Sequence, residues 1–126
     1  MTINKTNKPT ESELEILQII WEKEKATVRE VHEVLCLTKD SGYTTTLKLL
    51  QIMFEKGLVK RDDSNKTHIY EAAITKERTQ KQFLDKMINT LFAGSSTQLV
   101  LQALGNQKTS KGELEEIQKY LDNLKK

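Results

Sequence analysis

The stretch from Gly42 to Arg61 decides the fold, and it reads GYTTTLKLLQIMFEKGLVKR. Small polar residues come first, apolar residues recur behind them, and Gly57 interrupts the pattern before a short run with basic residues. The apolar spacing predicts a helix, because positions three and four apart share one helix face. A glycine where the pattern stops is typical of a helix end in the left-handed conformation. The stretch therefore predicts a helix that ends at Gly57 and leads directly into a strand.

The predicted helix has an apolar face and a polar face. A rotation of about 100° per residue places four residues on the inward side, namely Thr46, Leu49, Leu50 and Met53. On the other side, Gln51 can pair with adenine, Lys48 can bond to guanine or a phosphate, and threonines contact phosphates and thymine methyl groups. The candidate DNA-contacting residues of this helix are Thr44, Thr45, Lys48 and Gln51. An ordinary solvated helix face is the alternative.

Two helices are predicted before this one, and each opens with a capping box, Thr10-x-x-Glu13 and Thr27-x-x-Glu30. In a capping box the threonine oxygen and the glutamate carboxylate each accept from a backbone N–H group of the other residue. The first helix is expected to end near Lys23. Its apolar stripe comprises Leu14, Ile16, Leu17, Ile20 and Trp21, and that of the second helix comprises Val28, Val31, Val34 and Leu35.

A β-hairpin is predicted after the third helix. Residues 58–62 and 67–72 alternate as two short strands, and Asp62-Asp63-Ser64-Asn65-Lys66 forms the turn between them. Three helices followed by such a hairpin, or wing, are the order of a winged helix-turn-helix, whose third helix enters a DNA groove. The wing supplies three candidate phosphate contacts, Arg61, Lys66 and His68.

The tail of the chain is predicted to form three more helices, over about residues 75–92, 95–105 and 110–124. Phe83, Met87, Ile88 and Leu91 are expected to point inward on the first, and Leu99, Val100, Ala103 and Leu104 on the second. On the last helix a narrow apolar seam consists of Leu114, Ile117, Leu121 and Leu124.

So small a unit cannot bury all these apolar side chains by itself, and a seam of this spacing requires a partner helix. A homodimer is therefore expected, with Leu99, Val100 and the seam as dimerisation residues. Packing of the tail onto the winged domain of the same chain is the alternative.

Composition and charge fit a small, helix-rich protein that binds nucleic acid. The chain has 126 residues, of which 30% are charged and 37% hydrophobic. The net charge is only +2, yet residues 11–33 are mainly acidic and residues 44–69 mainly basic. A localised basic surface indicates nucleic-acid binding better than a high pI does, although a solvated charged face is the alternative. No apolar run approaches the ~20 residues that span a bilayer, and the polar residues 1–10 are not expected to form a secretory signal.

The single cysteine, Cys36, cannot form an internal disulfide, which indicates a reducing cytoplasm. His32 and Cys36 are four residues apart, but no third or fourth ligand lies near them in the sequence, so no metal or other cofactor is expected. Cys36 is instead expected to be a small buried hydrophobe without a polar cluster around it. Because the chain also lacks a glycine-rich phosphate loop and a nucleophile elbow, it is not expected to be an enzyme.

The order of elements and several short strings resemble the BlaI/MecI family of bacterial repressors, the penicillinase-repressor type. The strings are Glu13-Leu14-Glu15-Ile16-Leu17 with Trp21, Tyr43-Thr44-Thr45, Glu55-Lys56-Gly57-Leu58-Val59, His68-Ile69-Tyr70 and Gln98-Leu99-Val100-Leu101. The resemblance implies a cytoplasmic homodimer whose winged domains bind an inverted-repeat operator and whose C-terminal helices form the dimer. It also implies release from DNA when a membrane sensor-protease signals and the dimerisation region is cut, as in many members.

The sequence departs from the family at positions that concern specificity and release. Where relatives of known specificity carry arginines, the third helix has Leu47 and Ile52, so its base-reading surface differs. The family is cut within a Leu-Val-Leu-Asn-Phe string, and the matching string here is Leu99-Val100-Leu101-Gln102-Ala103. The candidate cleavage region is therefore Gln102 and Ala103. The Cys-x-Cys motifs of the copper-responsive branch are absent from the sequence, so metal sensing of that kind is not expected.

The sequence thus predicts a mainly α protein with a small β-hairpin. Residues 1–74 are expected to form a winged helix-turn-helix DNA-binding domain, and residues 75–126 a helical dimerisation region. The expected function is transcriptional repression by a homodimer on operator DNA, without insertion into a membrane. A winged-helix module that binds a protein instead of DNA is the alternative. Salt separates the two, because DNA binding releases counterions and weakens steeply as salt rises.

Overall fold

The computed structural model describes residues 8–106 and 108–126, so the polar N-terminal stretch considered above lies mostly outside them. The described elements are α1 (Glu11–Lys23), β1 (Ala26–Thr27), α2 (Val28–Leu35), α3 (Tyr43–Lys56), β2 (Val59–Asp62), β3 (Ile69–Ala72), α4 (Lys76–Leu91), α5 (Ser96–Asn106) and α6 (Lys111–Leu124). This confirms the expected fold class, a mainly helical winged helix-turn-helix with a small antiparallel sheet. The chain divides into two compact units, Met1–Lys81 and Gln82–Lys126.

Local hydrogen bonds determine where α1 and α2 begin, as predicted. The Thr10 hydroxyl accepts from Glu13 N at 3.2 Å, and the Glu13 carboxylate accepts from Thr10 N at 2.9 Å. Thr27 and Glu30 make the same reciprocal pair at the start of α2, at 3.1 and 2.8 Å. Each pair satisfies two backbone donors that a helix start leaves without partners.

The end of α3 determines where the wing begins. Gly57 has a φ of 83°, the predicted left-handed conformation, and Leu58 N donates to Met53 O at 2.9 Å. Because the Leu58 N–H closes the helix, β2 begins at Val59, one residue later than predicted. The turn is longer than expected, and β3 begins at Ile69 instead of residue 67.

The sheet has one strand more than the predicted hairpin. In the part of the chain that the structure describes, β1 pairs antiparallel with β3, and the strand order is β1-β3-β2. The register places Ala26 opposite Tyr70 and Thr27 opposite Ile69. A strand of two residues is too short to show an alternating pattern, and Thr27 also serves as the cap of α2, so the sequence pattern alone does not reveal β1.

The core of the first unit lies between α1, α2, α3 and the sheet. Its buried apolar residues are Ile16, Leu17, Ile20, Ala26, Val28, Val31, Leu35, Leu50, Met53, Leu58, Val59 and Tyr70. Trp21 lies at the edge of this core, where its Nε1 donates to Ile74 O at 3.0 Å. The predicted apolar stripes therefore supply most of the core, and the outward face of α3 remains exposed.

A buried ion pair joins the start of α1 to the end of α3. Glu13 is only 2% exposed, and its carboxylate accepts from Lys56 Nζ at 2.7 Å as well as from Thr10 N. The sequence predicts the capping bond, which spans three residues, but not the ion pair, whose partners are 43 residues apart. Both contacts matter because an unpaired carboxylate in this position would be costly to desolvate.

Replacing Glu13 by alanine is expected to lower the free energy of unfolding by about 2–4 kcal/mol. The loss combines a helix cap, worth about 1 kcal/mol, with a largely buried ion pair. Urea unfolding measures it. Glu15→Ala is the matched control, because its ion pair with Lys39 is exposed and is expected to contribute about 0–1 kcal/mol. Equal losses for the two variants would contradict the role given to Glu13.

The helix ends of the second unit also follow the sequence closely. Gly94 has a φ of 85° just after α4, and α5 continues to Asn106, one residue past its expected end. Ser110 and Glu113 form a third capping box, at the start of α6. Hydrogen bonds from the Ser110 backbone and side chain hold the pKa of the Glu113 carboxyl below its usual value. These ends are set by contacts between near neighbours in the chain.

The second unit has no core of its own. Among its described residues, 82–106 and 108–126, no side chain is buried. Met87 and Leu91, which were expected to point inward, are 43% and 74% exposed, and Leu121 and Leu124 are 42% and 64% exposed. Within this unit, these apolar side chains are therefore left largely uncovered. None of the described helices is long and apolar enough to cross a membrane.

Candidate nucleic-acid interface

The outward face of α3 is exposed as predicted. The four candidate residues Thr44, Thr45, Lys48 and Gln51 are all exposed, and so is Glu55 near the end of the helix. On the inward side Thr46, Leu50 and Met53 are buried. The buried side fixes the helix on the core, and the other side presents amide, ammonium and hydroxyl groups that can bond to bases and phosphates.

The start of α3 is free of negative charge. Gly42 precedes the helix without a side-chain capping bond, and the first turn of α3 contains no acidic residue. In contrast, α1 and α2 both begin with a capping box that includes a glutamate. The first backbone N–H groups of a helix carry the positive end of its dipole and attract anions. The end of α3 that carries Thr44 and Thr45 is therefore suited to a phosphate.

His32 of α2 holds the start of α3 in place. Its Nδ1 lies 3.0 Å from the hydroxyl oxygen of the buried Thr46. Its ring also packs edge-on against Tyr43, with 5.5 Å between the ring centroids. Two contacts from one side chain thus connect the second helix with the first turn of the third. From the sequence, His32 was a candidate only as a metal ligand, and this structural role was not predicted.

Cys36 is exposed, so the expectation of a buried hydrophobe is wrong. It follows Leu35, the last buried residue of α2, and forms the C-cap of that helix, where the chain leaves the core. Its Sγ lies 3.3 Å from His32 Nε2, a polar neighbour that was not expected. Within residues 8–106 and 108–126, no group of three or more side chains could hold a metal ion.

A groove lies between the starts of α2 and α3 and the wing, which comprises residues 59–72. It has a volume of about 480 Å³ and is lined by Thr27, Val28, Arg29, Tyr43, Leu47, Lys66, Thr67 and His68. Two of the predicted wing residues, Lys66 and His68, therefore meet the start of α3. The lining includes two cationic side chains, Arg29 and Lys66, and no acidic one. Its charge suits a nucleic-acid backbone.

Two lining residues, Arg29 and Tyr43, were not among the candidate site residues. Arg29 is exposed in the first turn of α2, and the mainly acidic composition of residues 11–33 concealed it. Its position two residues after the Thr27 cap could have indicated it as a site residue, because Arg29 then lies at the start of α2, the end that faces the wing. Tyr43 opens α3, but its part in the groove depends on how the wing packs.

Arg61 has a different environment from Lys66 and His68, because it does not line the groove. Its guanidinium lies 4.1 Å from the centroid of the Phe54 ring of α3. Its Nη2 lies 3.6 Å from an Asp63 carboxylate oxygen, and its side chain is only 22% exposed. Arg61 therefore lies apart from the groove that Lys66 and His68 line.

The turn of the wing also carries negative charge. The Asp62 carboxylate accepts from Ser64 Oγ at 2.7 Å and from Ser64 N at 3.0 Å. These hydrogen bonds, first the one from the side chain, hold the pKa of the Asp62 carboxyl below its usual value, and the nearby charge of Lys25 lowers it further. The turn of the wing therefore combines the carboxylate of Asp62 with the ammonium group of Lys66.

Comparisons with known proteins agree with this arrangement. The sequence model of the family described as penicillinase repressor matches residues 9–123. The methicillin resistance regulatory protein MecI of Staphylococcus aureus (strain N315) is 27% identical over 119 residues, which cover 94% of this chain and 97% of that protein. A penicillinase repressor of Staphylococcus aureus is 24% identical over 98% of both chains. The transcriptional regulator BlaI of Mycobacterium tuberculosis (strain ATCC 25618 / H37Rv) is 36% identical over 56 residues, 44% of this chain and 41% of that protein.

Proposed function

Because the chain belongs to the penicillinase repressor family, whose sequence model matches residues 9–123, we propose that it represses transcription by binding an inverted-repeat operator as a homodimer. Its relatives are named as repressors and transcriptional regulators. The family consists of transcriptional repressors, so the chain is not an enzyme. The proposed place of action is the cytoplasm, where the DNA of a bacterial cell lies.

The observation that carries DNA binding is the exposed polar face of α3 next to the basic groove. Thr44, Thr45, Lys48 and Gln51 face solvent, and the groove beside the start of the helix contains Arg29 and Lys66. A helix of 14 residues fits the major groove, while a wing that carries cationic residues contacts the backbone beside it. We assign base reading to Gln51 and Lys48, and backbone contacts to the two threonines and to Arg29, Lys66 and His68.

The uncovered apolar faces of the second unit support the homodimer. The seam on α6 and the residues Leu99 and Val100 on α5 would pack against the same surfaces of a second copy. A symmetric dimer presents two identical winged domains, which matches the two half-sites of an inverted repeat. In this proposal residues 1–74 bind DNA and residues 75–126 hold the two copies together.

The same arrangement supports release by a cut within α5. Gln102 and Ala103 are exposed, and no side chain of α5 is buried. A helix with few buried contacts opens locally at low cost, which a protease requires. We propose that a signal from a membrane sensor-protease leads to cleavage at or near these residues.

Footprinting on the DNA upstream of its own gene, at several salt concentrations, tests the proposed function. We expect protection of two half-sites related by an inverted repeat, and a steep fall in affinity as log salt rises. Binding that does not change with salt, or protection of no defined sequence, would contradict the proposal and would favour a protein partner for α3 and the wing.

Alanine variants of Gln51 and Lys66 should separate base reading from backbone contact. Gln51→Ala is expected to cost about 1–3 kcal/mol on the operator and little on random DNA, because an amide pairs with one base in particular. Lys66→Ala should weaken all sequences alike and flatten the salt slope by about one. Titrations with the operator duplex and with a random duplex measure these effects. Gln80→Ala is the control, because Gln80 is exposed on α4. Equal loss on both duplexes for Gln51→Ala would show that this residue does not read a base.

A further inference from the structure

The basic side chain of Arg61 packs against α3 and is only 22% exposed. Successive side chains of a strand alternate between its two faces, so Arg61 shares a face with Val59, which is 2% exposed. The alternate residues Lys60 and Asp62 are exposed on the other face of the strand. In the register of the sheet Arg61 lies opposite Tyr70, which is also buried. The strand thus directs this cation onto α3.

The guanidinium is held by a ring and a carboxylate. It lies 4.1 Å from the centroid of Phe54, within the ~6 Å range of a cation–π contact. Its Nη2 lies 3.6 Å from the Oδ2 atom of Asp63. The Nε atom is buried and has no hydrogen-bond partner among the residues that the structure describes. The Phe54 ring is therefore the main contact of the buried side of the guanidinium. A planar guanidinium suits such stacking better than a lysine does.

We infer that Arg61 is a positioning residue, which fixes the wing against α3 and does not itself contact a phosphate. Phe54 belongs to the helix proposed to read bases, and Arg61 belongs to the strand that leads to Lys66 and His68. The contact between them sets the angle between these two DNA-binding elements. Because an interface gains affinity when its parts are already in place, losing the contact should weaken simultaneous binding by helix and wing. This inference rests on the proposed function.

The salt dependence of binding separates positioning from phosphate contact. The full-length protein is titrated at several salt concentrations with the tightest duplex selected from a random library and with a random duplex of equal length. Arg61→Ala and Phe54→Leu are each expected to weaken the selected duplex by about 5- to 30-fold, with the salt slope of the unmodified protein retained. Lys66→Ala, the control for a phosphate contact, should flatten that slope by about one. The random duplex should be weakened less, whereas a merely unstable fold would weaken both duplexes alike.

The double variant Arg61→Ala/Phe54→Leu completes a double-mutant cycle with the two single variants. Residues that act through one contact are not additive, so the double variant should bind no more weakly than the single ones. A salt slope flattened by about one in Arg61→Ala, or losses that multiply in the double variant, would overturn the inference.

A measurement without DNA keeps this test apart from the proposed function. In nuclear magnetic resonance spectra of the free protein, Phe54→Leu should shift the backbone amide signals of Lys66, Thr67 and His68. Unchanged signals there would overturn the positioning role even if DNA binds. If the signals shift but the unmodified protein binds no duplex, the proposed function fails and the contact between wing and helix remains.

Discussion

Replacing Ile117 by aspartate is expected to convert a dimer into a monomer and to leave the first unit folded. Ile117 lies in the middle of the seam on α6, between Leu114 and Leu121, which are 47% and 42% exposed in one copy of the chain. In a dimer the new carboxylate would be buried against apolar side chains without a partner. This costs roughly 3 kcal/mol or more, which raises the dissociation constant by at least about 100-fold. Leu121→Asp should act in the same way.

Sedimentation velocity at micromolar protein concentrations measures this effect. Asn123→Asp is the matched control, because it adds the same charge to α6 on the side away from the seam and should leave the dimer intact. Circular dichroism should show the same helix content in the unmodified protein and in its three variants. A monomer for the unmodified protein, or a dimer that persists in both seam variants, would contradict dimerisation through the seam.

A fragment that ends at Gln102 is expected to keep its winged fold but to bind operator about 10²- to 10⁴-fold more weakly than the full chain. The fold should survive because all buried residues of the described chain lie between Pro9 and Thr79. The affinity should fall because the fragment lacks α6. In a dimer, binding of one half-site holds the second winged domain at a high effective concentration near the other half-site, and this advantage requires the connection.

A duplex with a single half-site provides the control for this comparison. There the full chain and the fragment should bind with similar affinity, since only one winged domain can be engaged. On the complete operator, at the same salt, the affinities of the full chain and the fragment should differ by about 10²- to 10⁴-fold. Equal affinity of fragment and full chain for the complete operator would rule out release by loss of the dimer.

Much of the fold is predictable because its signals are local. The capping boxes that begin with Thr10, Thr27 and Ser110 each join residues three positions apart, so composition and spacing suffice to find them. Gly57 and Gly94 both adopt positive φ values, as their positions at helix ends predict. The apolar stripes also follow from helical periodicity and supply the core of the first unit.

The candidate site was predictable only in part, because its parts come from separate elements. Periodicity alone places Gln51 and Lys48 on the exposed side of α3. Periodicity does not show that Arg29 and Lys66, which are 37 positions apart in the chain, line one groove. Nor does it show that Arg61 packs on Phe54. These arrangements depend on the packing of the wing, and strand β1, which helps to hold that wing, is too short to leave a pattern.

The sequence by itself determined where most helices begin and end and which of their faces are apolar, because hydrogen bonds and periodicity within a few residues control both. It also indicated that the tail alone is too small to bury all of its apolar side chains. Only the tertiary structure decided that Glu13 is buried against Lys56, that Cys36 is exposed, and that Arg61 lies on an aromatic ring. Such environments are set by residues distant in the chain, and they arise only when the helices and the sheet pack together.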